Sequence, residues 1–369
     1  MPDCKRAKER WADHGDATPF QDWQWLEAWY GAFANLADVE PIVAIITGAA
    51  TAEQALLLPL IRRMNGGIRI VEPADLDLTD YNAPLLGPAA PRDAEAARAM
   101  WRDLRAALRR LPGGADLIRL RKMPVETDGG PNPFVLLRGA GPCALNGNVV
   151  AIGDDFDAWR YTLERVVRKE LERSWRVFSR QPNAAFRVIA DADEALHILD
   201  NMEVQQGSRM QQLGVNFVLN EERCAAFYRN LVRDNIASGY AVLSALMVGG
   251  ELVAALLGIR QGGHYVMVRI SNAGGKWSNC SPGRLVIERT MAALHRDGVR
   301  QFDFSIGNYA YKRRFGVTPI RLVDFSAALS WRGLPYAWRD RVARRLRRYP
   351  KLAQRLKRLL GKPPSREEH

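Results

Sequence analysis

The sequence predicts an α+β protein with two mixed-sheet units and a basic amphipathic helix near the end of the chain. The length of 369 residues exceeds that of a typical single domain and suits two. Hydrophobic periodicity in the second half predicts the element order β-α-α-β-β-β-α-β-α-β, and the first half has a similar number of strand-like runs. The two halves are therefore expected to be copies of one unit, of which the first is degenerate.

The net charge of +12 is concentrated near the end of the chain. Residues 332–369 contain 13 Lys and Arg against three acidic residues, so the rest of the protein is nearly neutral. The basic composition thus indicates a basic tail, and not a protein that binds nucleic acid over its whole surface.

We expect four segments along the chain. These are a first unit over residues 1–154, a connecting helix over 155–183, a second unit over 184–331 and the tail over 332–369. Acidic and basic residues are interspersed along the connecting helix, which favours a solvated helix over a binding face.

The first unit is predicted to begin with a helix whose N-cap is Thr18 or Asp22. Trp25, Trp29 and Phe33 recur on one face of this helix, which favours packing in the core over an aromatic ligand cage. The rest of the unit is predicted as strands near 43–47, 55–61, 68–71, 115–121 and 149–152 and a helix over 94–111.

The second unit has the clearer pattern. Its longest apolar stretch, 241–259, is interrupted by Gly249, Gly250 and Glu251, which predicts two strands and a turn instead of a membrane span. The predicted strands are 184–190, 240–247, 252–260, 264–271, 300–305 and 321–329, and the predicted helices are 193–206, 221–237, 282–295 and a short piece around 309–315.

Composition and missing motifs exclude several classes of protein. Hydrophobic residues at 47% and charged residues at 25% are typical of a soluble globular protein and exclude global disorder. The four cysteines form no CxxC pair, which excludes a zinc ribbon or a thioredoxin motif and fits a reducing cytoplasm. The N-terminal residues lack the apolar segment of a secretory signal. The histidines show no metal-ligand spacing, and no P-loop, GxGxxG or GxSxG occurs, so we expect no metal.

The segment Ser281-Pro282-Gly283-Arg284 begins the predicted helix that follows the three-strand meander. Ser281 suits the N-cap, Pro282 suits the first helical position, and Gly283 allows another group to approach the backbone. The N–H groups and the positive dipole end of a helix start attract phosphate, and Arg284 adds a charged contact. We therefore expect Ser281, Gly283 and Arg284 to bind the phosphates of a donor; an ordinary helix start is the alternative.

A second group of candidate residues is Asp303, Tyr311 and Lys312. Asp303 lies between two phenylalanines at the end of a predicted strand, and a carboxylate placed there needs a partner such as Lys312 or an arginine. Tyr311 can protonate a leaving group, Lys312 can stabilise negative charge, and Asp303 can orient a group or act as a base. The alternative is a structural ion pair that fixes the corner between strand and helix.

Arg209 is a candidate contact for the acceptor substrate. It follows Gln205 and Gln206 at the end of the first predicted helix of the second unit and precedes Gly214. A surface cap at the C-terminus of that helix is an equally good interpretation.

The tail predicts an amphipathic helix that Pro350 kinks. The basic residues crowd the positions outside one apolar stripe, which suits an anionic membrane surface over 336–362. RNA is the second interpretation, and a packed helix with a solvated basic face is the third. The stripe consists of Trp338, Val342, Leu346, Tyr349, Leu352, Leu356 and Leu359.

Four segments together resemble the GNAT-type family of cellulose-biosynthesis-associated acetyltransferases, which is related to the Fem-type peptidyltransferases. They are SPGRL at 281–285, FDFSIGxxxYKRRFG at 302–316, FxxWxWLxAW at 20–29 and RKEL at 168–171. The resemblance implies tandem GNAT-like units, with acyl-CoA, most simply acetyl-CoA, as the donor in the second. In the Fem-type relatives the donor is an aminoacyl-tRNA that a Phe-Lys pair helps to hold. Tyr311-Lys312 matches that position, which implies a role for Lys312 in binding the donor or stabilising charge.

The resulting hypothesis is an acyl-CoA-dependent N-acyltransferase that acts on an amine or hydroxyl by direct attack on the thioester. The resemblance and the tail place it in envelope or exopolysaccharide synthesis, in the cytoplasm or peripherally on the inner face of the plasma membrane. Two alternatives are an aminoacyl-tRNA-dependent Fem-like transferase and a non-catalytic scaffold at the membrane.

Overall fold

A computed structural model describes residues 17–48, 53–127, 129–214, 219 and 221–347. Within these residues the chain divides into two compact units. The first unit combines residues before Gly147 with residues from Ile320 onward, and the second unit is the segment Gly147–Pro319. The first unit is therefore discontinuous along the chain.

The predicted element types are largely those of the structure. The α-helices are α1 (Trp23–Phe33), α2 (Ala94–Arg109), α3 (Phe156–Thr162), α4 (Arg165–Ser179), α5 (Ala192–Leu213), α6 (Glu222–Asn235), α7 (Pro282–Arg296), α8 (Ala310–Arg313) and α9 (Leu334–Arg347). The strands are β1 (Val39–Thr47), β2 (Gln54–Asn65), β3 (Ile68–Pro73), β4 (Leu85–Leu86), β5 (Leu117–Pro124), β6 (Glu126–Thr127), β7 (Gly130–Pro131), β8 (Ala140–Pro142), β9 (Gly147–Ala151), β10 (Ala184–Ile189), β11 (Ala241–Val248), β12 (Glu251–Gln261), β13 (His264–Asn272), β14 (Gln301–Asp303), β15 (Thr318–Ile320) and β16 (Leu322–Ala328).

The two large sheets share one topology. In the first, the antiparallel meander β1-β2-β3 is followed by a parallel strand, β5, and then by β16 and β8. In the second, β10 precedes the meander β11-β12-β13, which is followed by the parallel strand β14 and then by β9 and β15. A helix, α2 or α7, lies in the chain between the two parallel strands in each case, as a parallel pair requires. The predicted fold class, two α+β units of GNAT-like type, is confirmed.

The structure corrects the predicted boundaries between the units. The strand expected to end the second unit, β16, pairs with β5 and β8 in the first sheet. Conversely, β9 was assigned to the first unit, which was expected to end at residue 154, but it pairs with β14 in the second sheet. Local alternation identifies a strand, whereas its neighbours depend on contacts far away along the chain.

The segment predicted as a solvated connecting helix is part of the second unit's core. It forms two helices, α3 and α4, and it buries Trp159, Leu163, Val167, Leu171 and Phe178. These positions recur mostly at intervals of four, which is the apolar stripe of a packed helix. The many charged residues between these positions made the apolar stripe hard to recognise from the sequence.

The first helix agrees with the prediction. Trp25, Trp29 and Phe33 are buried on one face of α1, and Asp22 accepts a hydrogen bond from the amide of Trp23 at 2.7 Å. Thr18 caps the short 3₁₀ helix just before it. The apolar stretch around Gly249 and Gly250 forms β11 and β12, and no described helix has both the length and the apolar character needed to cross a bilayer.

Candidate active site

Strands β13 and β14 diverge, and this divergence creates the candidate site in the second unit. The parallel pairing covers only His264–Val266 opposite Gln301–Asp303, whereas β13 continues to Asn272. Beyond Val266, β13 therefore has no described strand beside it on that edge. The opening lies at the carboxyl ends of a parallel pair, where ligands bind in open α/β sheets.

A β-bulge marks the same part of β13. Leu257 is opposite Arg269 and Gly258 is opposite Met267, so Val268 has no partner in β12. A bulge bends the strand and redirects backbone groups away from the ladder. Gly258 fits the bulge because a Cβ there would lie 2.3 Å from the ring of Tyr265. The sequence analysis missed this feature, although a glycine inside a strand pattern is its usual signal.

The start of α7 faces the far end of β13. A Cβ on Gly283 would lie 3.4 Å from the Asn272 side-chain nitrogen, so the helix start packs against the strand end. Ser281 occupies the N-cap position in the left-handed conformation, with φ +46°. Its hydroxyl makes no capping bond, contrary to the prediction, and instead accepts from Arg284 Nη2 at 2.9 Å. Strained backbone of this kind is found at ligand-binding sites.

The guanidinium of Arg284 is held by α4. Arg284 Nη1 and Arg314 Nη1 donate to the same carboxylate oxygen of Glu170, at 2.7 and 2.6 Å. All three side chains are partly exposed, so solvent screens the pairs. Glu170 and Arg314 were not among the predicted residues.

The opposite side of the opening is the turn that follows β14. Asp303 is fully buried, and its Oδ1 accepts from the amide of Ser305 at 2.5 Å. Its Oδ2 lies 3.8 Å from His264 Nε2. Ser305 has the left-handed φ of +64° that this bond helps to hold. Asp303 thus holds the backbone of this turn, and its predicted role as an orienting group or a base stays a prediction.

Two further side chains fix this turn. Asn148 on β9 donates from Nδ2 to the carbonyls of Ser305 and Gly307, both at 2.9 Å. Lys312 is 2% exposed, and its Nζ donates to the carbonyls of Ile306 at 2.6 Å and Ser305 at 3.3 Å. The Lys312 charge thus lies beneath the turn and supports its carbonyls. Asn148 was missed, although asparagine is depleted in strands.

Tyr311 and Arg209, predicted separately, act on each other electrostatically. Burial raises the pKa of Tyr311 well above its usual range, the neighbouring Tyr309 raises it further, and the charge of Arg209 lowers it. The end of α5 is fixed beside β13 because Gln206 donates to the carbonyl of Ile270 at 2.9 Å and Gln205 donates to that of Leu252 at 2.8 Å. Tyr311 is therefore protonated at neutral pH, and the charge of the exposed Arg209 favours the phenolate that proton donation would leave.

Comparison with known proteins identifies the second unit. Residues 165–313 match the family model of the acetyltransferase (GNAT) domain. The fold is similar to that of FemX, with 10% identity, a TM-score of 0.63, and coverage of 92% of this chain and 99% of that chain. It is also similar to a conserved protein of unknown function from Bacteroides thetaiotaomicron, with 12% identity, a TM-score of 0.55, and coverage of 88% and 97%. No curated protein matches the sequence.

The matched residues include the β13–β14 opening, the start of α7, and the Tyr311-Lys312 pair. The part of the second unit that contains this opening is therefore similar to a GNAT-type acetyltransferase domain.

Proposed function

We propose that the second unit transfers an acyl group from an acyl-CoA thioester to an amine or hydroxyl acceptor in the opening between β13 and β14. The observation that carries the proposal is the end of pairing at Val266 and Asp303, with the bulge at Val268 just beyond it. The unpaired edge of β13 offers backbone N–H groups to a carbonyl placed there. The acetyltransferase family match supports the reaction class.

The acceptor atom attacks the thioester carbonyl carbon and forms a tetrahedral intermediate. Backbone N–H groups beside Val268 stabilise its oxyanion, and the carbon–sulfur bond then breaks. Tyr311 gives its hydroxyl proton to the departing thiolate. The acceptor atom releases its proton to solvent, and Tyr311 takes a proton back from solvent. The charge of Arg209 supports this role because it lowers the pKa of Tyr311, which burial raises, and so favours the phenolate that proton donation leaves.

The donor phosphates bind at the start of α7, where Ser281, Gly283 and Arg284 lie together. Arg284 exchanges Glu170 for phosphate, and the buried charge of Lys312 stabilises the turn that holds Tyr311. Arg209 contacts the acceptor, which its proximity to Tyr311 supports. The setting we propose is envelope or exopolysaccharide synthesis at the inner membrane face, as in the cellulose-biosynthesis-associated family that the sequence resembles.

Thermal stability with acetyl-CoA, longer acyl-CoAs and free CoA tests the donor. At about 100 times the dissociation constant a true ligand adds about 2.7 kcal/mol to the free energy of unfolding. Arg284→Ala and Lys312→Ala are each expected to remove the shift relative to the same variant without ligand. Arg296→Ala, at the other end of α7, should retain it. Absence of a shift with every CoA compound would reject the acyl-CoA donor.

An aminoacyl-tRNA donor is the second candidate, and one surface favours it. The outer face of α4, together with its C-cap residue, exposes five basic residues about one turn apart, a spacing that suits a phosphate backbone. They are Arg165, Lys169, Arg173, Arg176 and Arg180. The likeness of the fold to FemX agrees with this candidate. It predicts binding of charged tRNA that weakens steeply with salt, together with no response to CoA.

A further inference from the structure

Helix α9 packs on the first unit through ionic contacts and through Tyr336 and Ala337, which pack against a small apolar cluster. Asp340 accepts from Arg119 Nε at 2.8 Å, and Arg347 donates to Asp324 at 2.8 Å. Arg344 is buried between these pairs, and Tyr336 donates to the carbonyl of Gly66 at 2.9 Å. Within the described residues the tail is therefore a packed helix with exposed arginines, as in the third interpretation, and it also has ionic groups on the side that faces the protein.

Three large apolar side chains at the start of α9 and just before it are exposed. Trp331, in the 3₁₀ turn that leads into the helix, is 79% exposed, and Leu334 and Trp338 are 59% and 69% exposed. Leu334 and Trp338 are one turn apart and lie on the same helical face. Val342 continues that face and is half-buried. We call Trp331, Leu334 and Trp338 the α9 patch. Side chains of this size are usually the ones that a surface helix buries.

The charge around the α9 patch has one sign. Arg339, Arg341 and Arg345 are exposed on α9, and Arg332 precedes the helix. The one acidic residue within 331–347, Asp340, faces the protein and is paired with Arg119. The outward face therefore combines two indole rings and a leucine with arginines, and it carries no carboxylate.

We propose that the α9 patch lies on the surface of an anionic lipid bilayer. Trp side chains partition to the interface between hydrocarbon and headgroups, and arginines beside them attract anionic headgroups. An outward helix face with apolar residues and flanking arginines matches a bilayer lying parallel to the helix axis. This inference extends the predicted tail contact to Trp331 and Leu334 within the folded first unit, and it does not depend on which donor the second unit uses.

Sedimentation of the full-length protein with phosphatidylglycerol vesicles and with phosphatidylcholine vesicles tests the proposal. Binding is expected only to phosphatidylglycerol and should weaken with added salt. The double variant Trp331→Ala/Trp338→Ala is expected to lose at least about tenfold in partitioning, because binding scales with buried apolar area. Arg341→Gln and Arg345→Gln should each cost about fivefold.

Tyr161→Ala is the matched control, because this aromatic residue is 74% exposed in the second unit and lies outside the patch. It should bind phosphatidylglycerol as the wild type does. Three results would overturn the proposal. The first is a wild type that does not bind phosphatidylglycerol, and the second is a double tryptophan variant that binds it fully. The third is a lipid-free dimer that the double variant converts to a monomer, which would assign the patch to a second copy of the chain.

A further variant separates the patch from the segment after it. Leu356→Asp/Leu359→Asp changes the apolar stripe outside the described residues and leaves α9 intact. If this variant lost all lipid binding while the double tryptophan variant kept it, the membrane contact would belong to that segment and the proposal would fail.

Discussion

The turn after β14 depends on one asparagine, and its removal should loosen the candidate active site. Asn148→Ala deletes two hydrogen bonds of 2.9 Å from a buried amide. The carbonyl of Gly307 is only partly buried, so the loss of its donor costs about 0.5–1.5 kcal/mol. The carbonyl of Ser305 still accepts from Lys312 at 3.3 Å, so its loss costs about 1 kcal/mol. The total is therefore about 1.5–2.5 kcal/mol in the free energy of unfolding.

For a unit of this size the change corresponds to a fall in Tm of about 3–10 °C. Differential scanning calorimetry of the full chain measures it, and hydrogen exchange at the Ser305 amide should accelerate because its turn opens more often. Asn201→Ala is the control, since this exposed asparagine also donates to a carbonyl, that of His197 at 2.9 Å. Equal Tm values for Asn148→Ala and Asn201→Ala would refute the reasoning.

Four other variants test particular contacts. Tyr311→Phe should lower kcat by about 10²–10⁴-fold. Because the pKa of Tyr311 is raised, the kcat of the wild type should not fall with rising pH below the ordinary tyrosine pKa. A fall there that is absent from Tyr311→Phe would contradict the raised pKa. Among the described residues the Tyr265 hydroxyl has no hydrogen-bond partner, so Tyr265→Phe should leave stability in urea unchanged or raise it by about 1 kcal/mol. Because burial raises the pKa of Tyr265, this phenol ionises at a lower pH in the unfolded chain than in the folded protein. The free energy of unfolding of the wild type should therefore fall above about pH 10, and that of Tyr265→Phe should fall less. Gly258→Ala should cost at least about 1–3 kcal/mol because its Cβ meets the Tyr265 ring at 2.3 Å. Gly31→Ala lies in α1 with nothing within 4 Å of the added Cβ, so it should instead stabilise the protein by about 0.5–1 kcal/mol. The thermal melts of Gly258→Ala and Gly31→Ala are compared directly.

Local chemistry made much of this fold predictable. The spacing of Trp25, Trp29 and Phe33 identified a buried helix face, and Pro282 at the start of α7 suits the first position of any helix. Period-two alternation located most strands of both sheets. These features depend on neighbours within a few residues, which is the range over which a single sequence is informative.

Features set by distant contacts were not predictable in the same way. The pairing of β16 with β5 joins segments about 200 residues apart, and no local pattern specifies it. Asn148 acts on a turn more than 150 residues later, and Glu170 meets Arg284 across 114 positions. The candidate site residues could be proposed individually from the sequence. The residues that hold them in place, such as Asn148 and Glu170, were recognised only from the three-dimensional structure.

The place of β16 has a consequence for synthesis of the protein. Because β16 lies between β5 and β8, the first sheet stays incomplete until Leu322–Ala328 have left the ribosome. By then the whole of Gly147–Pro319 has emerged as one uninterrupted segment that can fold earlier. The first unit, whose N-terminal part is synthesised first, thus completes its fold last. Until β16 pairs with β5, the exposed edge of β5 must be protected from pairing with other strands.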